Sequence, residues 1–345
     1  VAARLLVVMN SVMPVFLSDL PAPPAGRTGW PWTTAPDPLP TTQPDGSSWP
    51  FISIVTPSYN QGAYVEETIR SILLQGYPNL EYVVMDGGSA DETVSILEKY
   101  DAWITHWESK PDDGQADAIN QGARRCTGQI FNWINSDDIL HPGALATLAC
   151  GFADAPSPPD AVAGSVINFS DSTERVVVNR GLKPKYMLAS SKHSKFHQPG
   201  VWLRRPLLET VLPFRSDLRY CFDTELYVRY LKRYPNVTYV DAPLVHFRLH
   251  DASKSVGEKS GLDREFYHMK RALMRNGFSE ARAVYHREVE AKTWHRVVNL
   301  IIRRTSGSRL ACALKLLGLL LTKEYGRVDR FLVGSLVRRV LLNGS

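Results

Sequence analysis

From Phe51 onward, short apolar runs alternate with amphipathic stretches. FISIVT is β-branched and unbroken, as a buried strand requires. After the turn SYNQG, Val65, Ile69, Ile72 and Leu73 recur at i, i+4, i+7 and i+8, one face of a helix. LEYVVMD predicts a second strand, and Ser89 with Glu92 a capping box that opens a helix to about Tyr100. Trp103–Trp107 predicts a short third strand, 115–125 a third helix, and IFNWIN another strand ending at Asp137. Alternation at this spacing predicts an α/β fold with a doubly wound, mainly parallel sheet and right-handed crossovers. Beyond Pro156 the pattern loosens into mixed α+β. Strand-like runs fall at 161–169, 176–178 and 200–204, a helix at 223–233, and two further strand-like runs within 237–249.

The flanks differ in kind. VAARLLVVMNSVMPVFLSDL is interrupted by Asn10, Ser11 and Pro14, which favours an ordinary terminal strand over a signal peptide. Residues 21–50 hold nine of the 23 prolines together with Trp30, Trp32 and Trp49. Indoles are costly to leave in water, so this segment is expected to be an extended strap packed on the domain surface. From Arg296 to Ser345 ten Lys/Arg face two acids, a net +8, among leucine-rich runs. That composition fits either basic amphipathic helices on an anionic membrane surface or a helical subdomain with a solvated basic face.

The whole chain of 345 residues carries 40 Lys/Arg against 35 Asp/Glu, too mild a balance for a dedicated nucleic-acid binder. No run reaches the roughly 18 uninterrupted apolar residues of a membrane span. Four scattered cysteines without metal spacing are expected to be reduced thiols in a cytoplasmic setting.

In an open parallel sheet, ligands bind beyond the carboxyl ends of the strands. Three such ends are polar here: Thr56–Asn60, Asp86–Ser89 and Asn135–Asp138. Asp137 and Asp138 repel each other unless a cation or water intervenes, so they are either a divalent-metal site or the cap of a helix starting near Pro142. Asp86, ahead of Gly87-Gly88, is either a turn aspartate or an acceptor for a base N–H.

The segments SIVTPSYNQGAYVEETIRSIL, VVMDGGSADET, ESKPDDGQADAINQG and WINSDD, in this order and spacing, resemble the GT-A, Rossmann-like, family-2 glycosyltransferases over residues 51–255. The segment TGWPWT also resembles leaders on some bacterial members. The resemblance implies a nucleotide-sugar donor, a divalent metal (Mn2+ or Mg2+) and inversion at the anomeric carbon. It implies that Pro57 and Tyr59 flank the base, that Asp86 reads its edge, and that Gln115, Asp117 and Asn120 line the nucleotide side. Asp138 becomes the metal ligand, with Asp137 beside it toward the ribose, although Asn135 stands where an extra aspartate often precedes the pair.

CFDTELYVRYLK resembles the family segment that carries the base, which points to Asp223 with Glu225 as competitor. Phe222, where relatives often have an acid, dries the site. His250 matches a position near the diphosphate and metal, with Lys254 a further cation. Gln198 and Trp202, after His197, match the acceptor side, although core packing accounts equally for Trp202. The implied organisation is an extension and strap (1–50), a nucleotide-sugar half (51–150), an acceptor half (151–255) and a basic helical region (256–345). The implied function is transfer of a sugar, from UDP-sugar in the first instance, to a glycan or lipid-linked hydroxyl in surface polysaccharide assembly, peripheral to the inner membrane face. TPSYNQG lacks the Gly-rich basic loop of a nucleotidyltransferase, and no G-x-G-x-x-G marks a nicotinamide enzyme. A non-catalytic sugar-nucleotide-binding or membrane-docking module is the remaining alternative.

Overall fold

The structure is a computed structural model that describes residues 14–153, 157–189, 196–250 and 259–285. The expected terminal strand lies mostly outside them, and Lys254 and the basic segment 296–345 lie wholly outside. Two compact units divide between Met269 and Lys270, and the elements that carry the candidate site lie in the first.

The first half alternates strand and helix: β1 (Ile52–Ser58), α1 (Val65–Leu73), β2 (Leu80–Asp86), α2 (Thr93–Lys99), β3 (His106–Ser109), α3 (Gln115–Ala123) and β4 (Ile130–Trp133). β5 (Ile139–Leu140) and α4 (Ala144–Ala153) follow. Then come β6 (Ala161–Phe169), β7 (Glu174–Val177), α5 (Pro184–Met187), a 3-10 turn (Gln198–Gly200), β8 (Val201–Arg204) and α6 (Arg205–Leu208). α7 (Phe222–Arg233), β9 (Val237–Arg248) and α8 (Lys259–Arg275) complete the described elements.

Among the described residues the strands form one nine-stranded sheet in the order β3-β2-β1-β4-β8-β6-β9-β5, with β7 beside β6. The β3-β2-β1-β4 half is parallel throughout. β8 then runs antiparallel to both β4 and β6, so the second half is mixed.

Every residue of β1 and β2 is buried, as expected of central strands with helices on both faces. α3 lies close on them because Gly122 has no side chain, and a Cβ there would stand 2.6 Å from Val55 Cγ1. The chain leaves β1 toward β2 and β3, then returns to the other side as β4, so the sheet switches direction between β1 and β4. Their pairing ends at Val55 and Trp133, and Pro57 lies beyond it, where its missing N–H takes nothing from the ladder.

Several expectations shift. The third strand begins at His106 rather than Trp103, and β4 stops at Trp133. The two runs within 237–249 are one strand whose register against β6 is broken by a bulge. The Ser89 capping box does not form. The Ser89 hydroxyl is bound to Asp86, and Asp91 Oδ1 takes the Thr93 N–H at the start of α2 instead.

The proline-rich segment does pack as a strap, with Trp32 and Trp49 5% and 4% exposed. Buried Arg70 of α1 anchors it through the carbonyls of Pro21, Pro31 and Trp32. The Trp30 indole donates to Leu140 O of β5.

Candidate active site

The carboxyl ends of β1, β2 and β4 converge because parallel registry forces them to. Ser58 stands opposite Asp86, and Asp86 opposite Ser109. The loop after β4 closes the same edge, and Gln115 Nε2 at the start of α3 donates to Asn135 Oδ1 at 2.7 Å. Tyr59 projects from the end of β1 with 62% of its surface exposed, an aromatic face at the switch point, while Pro57 beneath it is buried.

Asp86 is 2% exposed and heavily engaged. Gly88 adopts a positive φ of 82°, which turns the 88 and 89 amides back onto Asp86 Oδ2 at 3.1 and 2.8 Å. Ser109 Oγ adds a third bond to that oxygen, and Ser89 Oγ occupies Oδ1. A carboxylate has about four acceptor sites, so Asp86 as folded shapes the loop. Oδ1, which carries only the Ser89 hydroxyl, is the oxygen with acceptor capacity left for a base N–H.

Asp138 is fully buried; its Oδ1 takes the Arg248 N–H at 3.2 Å and its Oδ2 the Asn135 amide at 3.1 Å. Burial, then the neighbouring Asp137 charge, hold its carboxyl well above the usual range. Asp137 remains partly exposed and meets His250 Nε2 at 3.0 Å, and that imidazole lies against Tyr64 with ring centroids 4.9 Å apart.

Two side-by-side carboxylates with an imidazole beside them fit a hard divalent cation, which would relieve the repulsion that the pair now carries. Among the described residues no group of three His, Cys, Asp or Glu side chains is arranged to hold a metal by itself. The donor set therefore suits a cation that brings phosphate oxygens or water with it.

On the other flank of β4, Trp133 packs edge-on against Phe214 and tilted against Phe222 and Tyr227, at 4.9, 6.2 and 5.9 Å. Phe222 opens α7, so Asp223 sits in the first turn beside the end of the strand that leads to Asp137 and Asp138. Burial pushes the half-buried Asp223 carboxyl up to about 6, while hydrogen bonds from Thr224 pull it down. Glu225 is 4% exposed and accepts three guanidinium hydrogen bonds from Arg229, which leaves it no proton-accepting role.

Other expected residues are engaged by partners of their own. Asn120 spends its amide on Phe214, donating to its carbonyl and accepting its N–H, both at 2.8 Å. Asp117 binds Gln121 of its own helix. Trp202 is wholly buried in the core, because β8 is central in the sheet, so its indole cannot stack on an acceptor. Gln198 is 7% exposed and ties the 3-10 turn to Asn132 and the Trp133 carbonyl.

Three residues that the motifs do not single out shape the site. Arg248 contacts both members of the acidic pair, and Glu67 binds Arg248 at 2.7 Å. Glu265 of α8 accepts the N–H groups of Arg219, Tyr220 and Cys221, the turn that leads into α7. Their signal in the sequence is only a charge of the right sign, because each acts across more than 40 residues.

Comparisons with known proteins agree with this layout. The family described as Glycosyl transferase family 2 matches residues 53–212. An uncharacterized glycosyltransferase of Rickettsia typhi is 26% identical over 212 residues, 59% of this chain and 65% of that protein. The chain thus spans just under two thirds of the length of that relative. A mannosyltransferase of Pyrobaculum calidifontis, solved with GDP-Man and Mn2+, superposes with a TM-score of 0.52 at 20% identity, covering 91% of each chain. TarS of S. aureus, solved with UDP-GlcNAc, gives 0.51 at 18% identity, covering 64% of this chain and 65% of that one. At such identities the likeness speaks for the fold alone.

Proposed function

Residues 53–212 of this chain belong to glycosyl transferase family 2, and from that premise we propose that it moves a sugar from a nucleoside-diphosphate donor, a UDP-sugar in the first instance, to an acceptor hydroxyl with inversion. The observation that carries this reading is the shared strand end. β4 leads into an acidic pair, Asp138 buried and Asp137 partly exposed, on one side and packs, through Trp133, against the turn that bears a raised carboxyl on the other.

In this reading Tyr59 supports the base and the Asp86 loop frames the nucleoside. Asp137 and Asp138, with His250, hold a divalent cation. When bound, the cation supplies Lewis-acid stabilisation of the departing diphosphate. Asp223 accepts the proton of the attacking hydroxyl on the opposite face. A carboxyl raised to about 6 is ionised at neutral pH yet far more basic than an ordinary aspartate. Burial keeps water from that carboxylate, and the Thr224 N–H holds its Oδ1.

The acceptor class we assign is a glycan or lipid-linked hydroxyl of a surface polysaccharide. The support is the basic, leucine-rich composition of 296–345, which suits an anionic membrane surface. Among the described residues no helix is long and apolar enough to cross a membrane. Co-sedimentation of the full chain with phosphatidylglycerol vesicles at low salt, and its release at high salt, is the expected behaviour; indifference to vesicles contradicts it.

Asp223→Asn tests the chemistry. Turnover is expected to fall by about 10²–10⁴ while UDP binding stays at the wild-type level. Transfer at the wild-type rate would remove Asp223 from the mechanism.

A further inference from the structure

Arg248 stands at the centre of an arrangement that the family motifs do not describe. Its backbone N–H reaches Asp138 Oδ1, and its Nε donates to the main-chain oxygen of Asp137 at 3.1 Å. Its Nη2 donates to Glu67 Oε2 at 2.7 Å. The guanidinium lies over two rings, 5.1 Å from the centroid of Tyr64 and 4.6 Å from that of Phe169. The side chains of Arg248 and Glu67 are 17% and 13% exposed, so this ion pair is largely screened from water.

The second oxygen of Glu67 takes the indole N–H of Trp32 at 3.2 Å. Trp32 is fixed in turn by buried Arg70, which binds its carbonyl at 3.1 Å and lies 5.4 Å from its ring centroid. Trp32 belongs to the proline-rich strap and precedes the family-matched residues. An unbroken line therefore runs from the strap through Trp32, Glu67 and Arg248 to the backbone of the acidic pair.

The charges explain why that line matters. A permanent cation beside two carboxylates pairs with them directly unless something else holds it, and would then stand where a divalent ion belongs. Arg248 meets Asp137 through a carbonyl rather than its carboxylate, and Glu67 is the anion that takes the guanidinium on its other side.

We propose that Trp32, Glu67 and Arg248 are positioning residues through which the strap prepares the acidic pair, Glu67 holding the Arg248 guanidinium off the Asp137 and Asp138 carboxylates so that a divalent cation is admitted. The proposal rests on the reading of that pair as the cation and diphosphate site.

Calorimetric titration of UDP into the full chain, with Mn2+ and then with EDTA, tests it, alongside Mn2+ binding read by electron paramagnetic resonance. Glu67→Gln is expected to weaken Mn2+-dependent UDP binding about ten-fold or more, the usual cost of losing an outer-sphere partner, with binding in EDTA unchanged. Trp32→Phe keeps an aromatic ring in the buried site but removes the N–H together with the five-membered ring of the indole, giving a smaller loss in the same direction. Adding Arg248→Gln to Glu67→Gln removes the released cation and should recover affinity, which mere structural damage would not do.

Wild-type affinity in Glu67→Gln, or further loss in the double variant, overturns the relay. Should Glu67→Gln fail to fold, unchanged affinity in Trp32→Phe overturns it. A wild-type chain that binds UDP with no dependence on Mn2+ overturns the reading of the acidic pair itself, and the relay with it.

Discussion

Asp223 and Glu225 sit two residues apart on α7, and the difference between them is one of partners. Glu225 is neutralised by Arg229 one turn on, whereas Asp223 is raised by burial and by the like charge of Glu265. A carboxyl that titrates near 6 when folded but near 3.8 when unfolded binds its proton more tightly in the native state, so stability falls as pH rises from about 4 to 6. Asp223→Asn is uncharged in both states. Its melting temperature relative to the wild type should therefore climb across that window and stay level or higher above it, while transfer is lost. Asn120 behaves in the opposite way. Both ends of its amide satisfy the buried backbone of Phe214, so Asn120→Ala should cost about 1–3 kcal/mol in denaturant unfolding with UDP affinity unchanged. A motif reading placed Asn120 beside the nucleotide because spacing reports the helix face; which neighbour lies across that face is decided by a segment 94 residues away.

The elements were largely legible where local pattern decides them. β1, β2 and α1 follow from unbroken apolar runs and from the Val65/Ile69/Ile72/Leu73 stripe, and they form one side of the cleft. What escaped depends on tertiary partners. β5 is two residues long and exists only because it pairs with β9. Trp202 fits acceptor stacking and core packing equally in the sequence, and the place of β8 between β4 and β6 decides for the core. Ser89 has the spacing of a cap, yet the nearer Asp86 carboxylate wins its hydroxyl. The α7 entrance is the least local feature of all, since Glu265 gathers three successive N–H groups there at 2.6–2.8 Å. Glu265→Gln retains an acceptor oxygen but removes a like charge that adds to burial in raising Asp223. The acidic limb of the pH–rate profile should move to lower pH, and an unshifted limb would show that Glu265 acts on structure alone. The other groups around this carboxyl, the Tyr227 phenol and the Cys221 thiol, are both raised and stay neutral across that range.

For the molecule as a whole, the sheet's change of direction between β1 and β4 creates the crevice, and in the proposed function the parallel half supplies its donor wall. In the proposed function the acceptor wall comes from α7, which lies beyond the family-matched residues, so that role rests on geometry and not on the match. The strap adds a third contribution from outside the same range, reaching the acidic pair through Glu67 and Arg248. The pair is thus the point where strap, sheet and β9 meet, and the account depends on its taking a cation together with a diphosphate. UDP titrated calorimetrically into the wild-type chain and into Asp138→Asn, each with Mn2+ and with EDTA, measures that directly. The account predicts Mn2+-dependent binding in the wild type and at least a ten-fold loss in Asp138→Asn, with an intact fold by circular dichroism. Equal affinity in the two proteins, with or without Mn2+, would contradict it.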